Sequence, residues 1–313
     1  MGSKDNMALF ARQKTNLDPV SEKSAPIERE IQQLTETNLQ EVFNLQFVST
    51  EFAHNNLRID TLCYDPENKA FVIVEYKKDR SFSVIDQGFS YLALMLNNKA
   101  EFLIEYNEKT TKPLRREDIN WEQSRVIFVS PFFTPHQKAA INFKNLPIEL
   151  WEIRFYSNDL IEYKQIEPLE TSEKIETVTG SKFIKEVSKA VKTYDLEMHL
   201  KKGSDKTRGL FRNLQERILD LGEITEKYLQ LYVAYRIPDQ KINFVSIHFY
   251  KEKLELYILI EADKLNDPRD ISKAVPESYG WAKNLRRFDI RDEKEIPYVM
   301  ELIRQSYEFN KNR

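Results

Sequence analysis

The apolar run Phe71-Val72-Ile73-Val74, which ends abruptly in Glu75-Tyr76-Lys77, constrains this chain more than any other segment. Four consecutive apolar residues, three of them β-branched, read as a strand. Side chains alternate along a strand, so Glu75 and Lys77 share one face and Tyr76 points to the other. A second run, Arg58-Ile59-Asp60-Thr61-Leu62, places another acid within strand-like sequence. An adjacent strand there brings Asp60 beside Glu75 and Lys77. Charges at such positions are costly unless they are paired or bound to a cation. Two carboxylates hold a divalent ion, and a nearby ammonium steers water or offsets charge on phosphate. A D…ExK spacing also arises by chance, and the strand context is what gives it weight.

A further pair, Gln87 and Tyr91, stands one helical turn apart at the start of the apolar stretch from Tyr91 to Leu96. On its own, this pair reads as a helix-start glutamine and a half-buried tyrosine. Together, Ile59-Asp60, Glu75-x-Lys77 and Gln87-x-x-x-Tyr91 resemble the restriction-endonuclease-like PD-(D/E)XK nuclease superfamily in its RecB-like branch. The resemblance covers about residues 20 to 165. It implies an α/β fold with a helix, a three-strand meander, a helix and a strand, followed by a small α+β domain. It also implies that Asp60, Glu75 and the Tyr76 carbonyl ligate Mg²⁺, with Mn²⁺ as substitute. Lys77 would act on the attacking water, and Gln87 and Tyr91 would support the site. The family often adds a glutamate from the preceding helix, here Glu28 or Glu30, with Glu28 preferred. Ile59 stands in place of the motif's proline.

The implied activity is metal-dependent endonucleolytic cleavage of DNA, in repair or in defence against foreign DNA. The alternative is a nucleic-acid-binding or scaffold module that keeps the fold without cutting. DNA is the expected partner, RNA is the other candidate, and a homodimer is an open assembly state. The net charge of −3 offers no global attraction to phosphate, so contacts must come from local patches. Lys78 and Arg80 flank the acids. Lys201, Lys202, Lys206 and Arg208 belong to a longer basic stretch from Lys182 to Arg212.

Other chemistries lack their residues. The single cysteine, Cys63, allows no internal disulfide, and the four histidines are scattered. Only seven glycines occur, and neither GxxxxGK nor GxGxxG is among the motifs. No apolar run reaches the ~18 residues of a membrane span, and the first residues lack a signal-peptide core, so a cytoplasmic protein is expected.

The pattern predicts an N-terminal extension over 1–26, a nuclease-like domain over 27–166, a linker over 167–181 rich in Glu and Thr, and an accessory α+β domain over 182–313. Strands are predicted over 46–52, 58–64, 71–77 and 125–130, with helices over 84–96 and 135–143 and a hairpin around Ser157. In the second domain, strands are predicted over 232–236, 244–249 and 254–260, with a final helix over 296–309. The aromatics Tyr232, Tyr235, Phe244, Phe249, Tyr250 and Tyr257 read mostly as core, with base stacking as the rival role.

Overall fold

The computed structural model describes residues 8–54, 57–78, 83–143, 146–169, 173–238, 240, 242–276 and 284–312. The chain is mixed α/β with several sheets and divides into two compact units, residues 1–65 with 69–192, and residues 66–68 with 193–313. Among the described residues no helix is long and apolar enough to cross a membrane.

The first unit opens with strands β1 (Phe10–Gln13), β2 (Asn16–Pro19) and β3 (Glu22–Lys23), within the expected N-terminal extension. β1 and β2 form an exposed antiparallel hairpin. Helices α1 (Glu28–Thr37) and α2 (Leu39–Phe43) lead into β4 (Gln46–His54), β5 (Leu57–Asp65) and β6 (Ala70–Tyr76), three antiparallel strands in sequence order. Helices α3 (Val84–Asn97) and α4 (Lys99–Lys109) cross to β7 (Arg125–Ser130), which pairs parallel to β6. Then α5 (Pro135–Ala140) and β8 (Ile148–Tyr156) follow, the latter parallel to β7, and β9 (Ile161–Ile166) returns antiparallel. The sheet runs β3-β8-β7-β6-β5-β4, with β9 also on β8.

Every residue of β6 is buried, because the strand has helices on both sides. Phe71 and Ile73 meet Phe89, Leu92 and Met95 of α3 and Phe102 of α4, while Val72, Val74 and Tyr76 join Ile31 of α1 on the opposite face. Ser83 caps α3 by accepting from the Asp86 N–H. A Cβ on Gly88 would lie 2.6 Å from Ile148 Cδ1, so the missing side chain lets α3 settle closely on β8.

The expected linker does not separate the units where composition suggested. Helices α6 (Ile175–Val178) and α7 (Lys182–Ala190) belong to the first unit, with Ile175, Ile184, Val187 and Val191 buried in its core. The break falls after Lys192. The second unit contains α8 (Leu196–Leu200), α9 (Asp205–Leu219), β10 (Thr225–Tyr228), β11 (Tyr232–Arg236), β12 (Asn243–Phe249), β13 (Leu254–Leu259), β14 (Lys273–Ala274), β15 (Leu285–Ile290) and α10 (Ile296–Lys311). Its six-stranded antiparallel sheet packs on α9 and α10 through residues such as Val233, Ile247, Leu256, Leu214 and Ile303. Of the six aromatics named above, five are buried, and Tyr250 alone among them is exposed.

Candidate active site

β5 and β6 pair with Thr61 opposite Val74 and Leu62 opposite Ile73. Leu62 and Ile73 lie in the core beneath α3. Alternation keeps Glu75 on that side, and Asp60 stands next to Thr61 along β5, close enough for the Glu75 charge to act on it. Asp60 Oδ2 accepts the Tyr76 N–H at 3.0 Å, which ties the first acid to the strand that carries the second.

Glu75 is the hub. Its Oε1 receives Lys77 Nζ at 2.7 Å, the Tyr91 hydroxyl at 2.9 Å and Gln87 Nε2 at 3.0 Å. The i,i+4 spacing on α3 puts Gln87 and Tyr91 on one face, where Gln87 Nε2 also reaches the Tyr91 hydroxyl at 3.1 Å. That hydroxyl also lies 3.2 Å from the Arg58 carbonyl, which anchors it to β5. Glu75 Oε2, by contrast, is buried with no hydrogen-bond partner among the described residues. A carboxylate at 3% side-chain exposure with one oxygen satisfied three times over keeps its other oxygen available as a ligand for a cation.

The electrostatics agree. Burial first, and then the Glu75 carboxylate, push the Asp60 carboxyl from 3.8 up to about 7, against the lowering effects of the Tyr76 N–H and Lys77. Burial works against the Lys77 charge, yet its hydrogen bond to Glu75 and the charges of Glu75, Asp60 and Glu28 hold its pKa above the usual value. Burial likewise raises the Tyr91 phenol, so it stays a donor.

Of the two helix acids, Glu28 is half-buried and accepts the Lys78 N–H through Oε2 at 2.8 Å, and its charge reaches both Asp60 and Lys77. Glu30 is exposed. Among the described residues no group of three or more His, Cys, Asp or Glu side chains is arranged to hold a metal. The donors that could hold a cation here are thus two neighbouring carboxylates, Asp60 and Glu75.

Sequence reasoning missed the strut behind Asp60. Gln32, one turn beyond Glu28, places Nε2 2.9 Å from the Asp60 carbonyl, 3.1 Å from Thr50 Oγ1 and 3.1 Å from Glu36 Oε1. Thr61 donates to the same Glu36 oxygen at 2.6 Å. A buried glutamine on the apolar side of α1 was the available signal. Glu51, on β4, forms an ion pair with Arg58.

The predicted phosphate contacts separate. Lys78 is exposed beside the acids, and Arg80 lies outside the described residues. Lys201 and Lys206 are exposed on the second unit. Lys202 donates to the Gln230 carbonyl at 2.6 Å. Arg208 reaches the Leu200 carbonyl at 2.8 Å and pairs with Asp205 at 3.0 Å, which engages its guanidinium in closing the end of α8.

Over 302 residues the chain is 37% identical to a protein of Haemophilus influenzae (strain Rd) called "Uncharacterized protein", a match that spans 96% of this chain and 99% of that one. The chain belongs to that protein's family. Within this family member, residues 196–310 match a domain described as "Domain of unknown function (DUF5655)". Among solved structures the chain is similar to the EndoMS-dsDNA2 complex, at 17% identity over 42% of this chain and 47% of that one, with a TM-score of 0.28. It is also similar to a repair endonuclease from Pyrococcus abyssi, at 16% identity over 42% and 49%, with a TM-score of 0.25. This chain spans about half the length of those structures. TM-scores of that size fix neither topology nor chemistry for this family member.

Proposed function

We propose that the first unit is a restriction-endonuclease-like, Mg²⁺-dependent nuclease domain that hydrolyses phosphodiester bonds in DNA. The observation that carries this reading is the asymmetry of Glu75, whose Oε1 is held by three donors while its buried Oε2 has none among the described residues. Asp60 and Glu75, with the Tyr76 carbonyl, would hold the cation. When bound, the ion would polarise the scissile phosphate and offset the charge that develops on it.

The protein groups divide the remaining work. Lys77, kept protonated by its acidic neighbours, cannot serve as a base; its ammonium orients the attacking water and stabilises negative charge. Gln87 and Tyr91 fix the Glu75 rotamer, so that its second oxygen is presented without reorganisation. Glu28 supplies a further acidic edge above Asp60.

The test is cleavage of single-stranded, branched and duplex DNA with Mg²⁺ or Mn²⁺. Asp60→Ala, Glu75→Gln and Lys77→Ala should each lower the rate by about 10²-fold or more, as expected for loss of a group that stabilises transition-state charge. Equal cutting by all three variants would place the chemistry elsewhere. Metal-independent DNA binding with no cleavage by the wild type would leave the non-cutting alternative standing.

A further inference from the structure

β6, β7 and β8 are parallel, so their carboxyl ends lie along one edge of the sheet. Tyr76 pairs with Val129, and the Lys77 N–H continues the ladder to the Val129 carbonyl at 2.9 Å. Ser130 pairs with Glu152. Ile73, Phe128 and Leu150 mark the α3 side of these strands. By alternation Glu75, Lys77, Ser130 and Glu152 all project to that side at that edge. Glu152 therefore stands two strand spacings from Lys77, about 10 Å away at ~4.8 Å per strand.

Glu152 is 3% exposed and carries two cations. Lys138 Nζ, from α5, meets Oε1 at 2.7 Å, and Arg154, two residues along β8, meets Oε2 at 3.1 Å. The Phe133 N–H also approaches Oε1, at 3.5 Å. The cation side chains remain 37% and 32% exposed. Across β9, Glu162 stands opposite Arg154 and adds its charge there, while Lys164 stands opposite Glu152, so two acids and three bases leave one surplus positive charge, with Glu152 holding Lys138 and Arg154 in place. A pair of preordered cations carrying one surplus charge suits a phosphate diester, which also carries one negative charge.

We propose that Lys138 and Arg154, oriented by Glu152, form a second phosphate-binding point that holds the DNA strand at a backbone phosphate neighbouring the scissile one. This rests on the nuclease reading of the Asp60–Glu75 site and adds the path of the strand, which runs along the carboxyl edge from β6 toward β8. Glu152 acts through its two partners and is a positioning residue.

The experiment measures DNA affinity by fluorescence anisotropy over a salt series, with the full chain carrying Asp60→Asn to prevent cutting. Adding Lys138→Gln or Arg154→Gln should each reduce the slope of log affinity against log salt by about one, with a weakening that does not depend on DNA sequence. Arg154→Lys should restore the slope. Because these variants disturb the partners of a buried acid, a second arm uses unaltered side chains at 138 and 154. Placing a neutral methylphosphonate at each position near the cleavage site in turn should locate one phosphate whose neutralisation weakens binding. Lys138→Gln should then add no further loss at that phosphate. Unchanged salt slopes, or full additivity at every phosphate, would overturn the second contact while leaving metal-dependent cleavage intact. Absence of any DNA binding by the wild type would overturn both readings.

Discussion

Replacing Asp60 by asparagine measures the energetic consequence of burying an ionisable acid beside a second carboxylate. The asparagine keeps an oxygen for the Tyr76 N–H but cannot ionise. Burial, and then Glu75, raise the Asp60 carboxyl from 3.8 to about 7 in the folded protein. A carboxyl group raised in this way favours the fold while protonated, so its contribution is complete below pH 3.8 and is lost as pH rises through 7. At ~1.36 kcal/mol per pKa unit, the penalty for ionising Asp60 grows from about 1–2 kcal/mol at pH 5 to about 4 kcal/mol above pH 7. Such a change is a large part of the ~5–15 kcal/mol that stabilises a typical domain. Urea unfolding in EDTA, followed by tryptophan fluorescence, measures it, since Trp121 and Trp151 lie in the first unit. The stability of Asp60→Asn relative to wild type should rise by about 2–3 kcal/mol between pH 5 and pH 8, and titrating groups distant from Asp60 cancel in the difference. Mn²⁺ at pH 8 should then stabilise the wild type and leave the variant unchanged. A difference that stays flat from pH 5 to pH 8 would refute the claim that burial, and then Glu75, hold the Asp60 carboxyl far above its ordinary value.

Tyr91→Phe removes one of three donors from Glu75 Oε1 and should cost about 1–2 kcal/mol in thermal or urea unfolding, with a several-fold weaker Mn²⁺ affinity by calorimetry. Arg125 bridges Asp65 and Glu149, each at 2.8 Å, so Arg125→Met should cost about 3 kcal/mol by leaving buried Asp65 without its cation, and metal affinity should hold. A fragment ending at Lys192 should fold cooperatively by circular dichroism. One ending at Ser181 strips Ile184, Val187 and Val191 from the core, a gross loss of about 5 kcal/mol, and should be molten or unfolded.

Much of the candidate site is legible in the chain because charge stands where strand burial penalises it. Glu75 closes an apolar run, and Asp60 interrupts another, so their pairing follows once β5 and β6 form a hairpin. The choice between Glu28 and Glu30 was also latent in the sequence. Ile31, Gln32 and Thr35 define the buried side of α1, and Glu28 lies one turn below Gln32, whereas Glu30 is rotated by about 200° from Glu28. What periodicity does not reveal is which core a face meets. Val187 and Val191 mark an amphipathic helix correctly, yet the helix packs under α3 in the first unit and does not open the second. The β1–β2 hairpin was hidden because its strands are exposed and carry no apolar alternation. Glu152 and Arg154 share a side of β8 by alternation, but Lys138 joins them only through the placement of α5, which no local pattern encodes.

The position of β6 explains why the chemistry gathers where it does. Helices cover both its faces, so a charge midway along it would be stranded in apolar packing. Ionisable groups are tolerable at its carboxyl end, where the strand meets solvent. β6 is also the strand at which pairing changes from antiparallel, toward β5, to parallel, toward β7. The antiparallel neighbour runs the other way, so a residue near the start of β5 arrives beside the end of β6, and this is how Asp60 reaches Glu75. On the parallel side, the ends of β7 and β8 extend the same edge and bring Glu152 with its two cations into line. An acidic pair on one side of the junction and a cationic pair on the other are therefore consequences of strand direction. Moving Asp60 by one residue along β5 would turn the carboxylate to the opposite face and dismantle the pair without altering the fold.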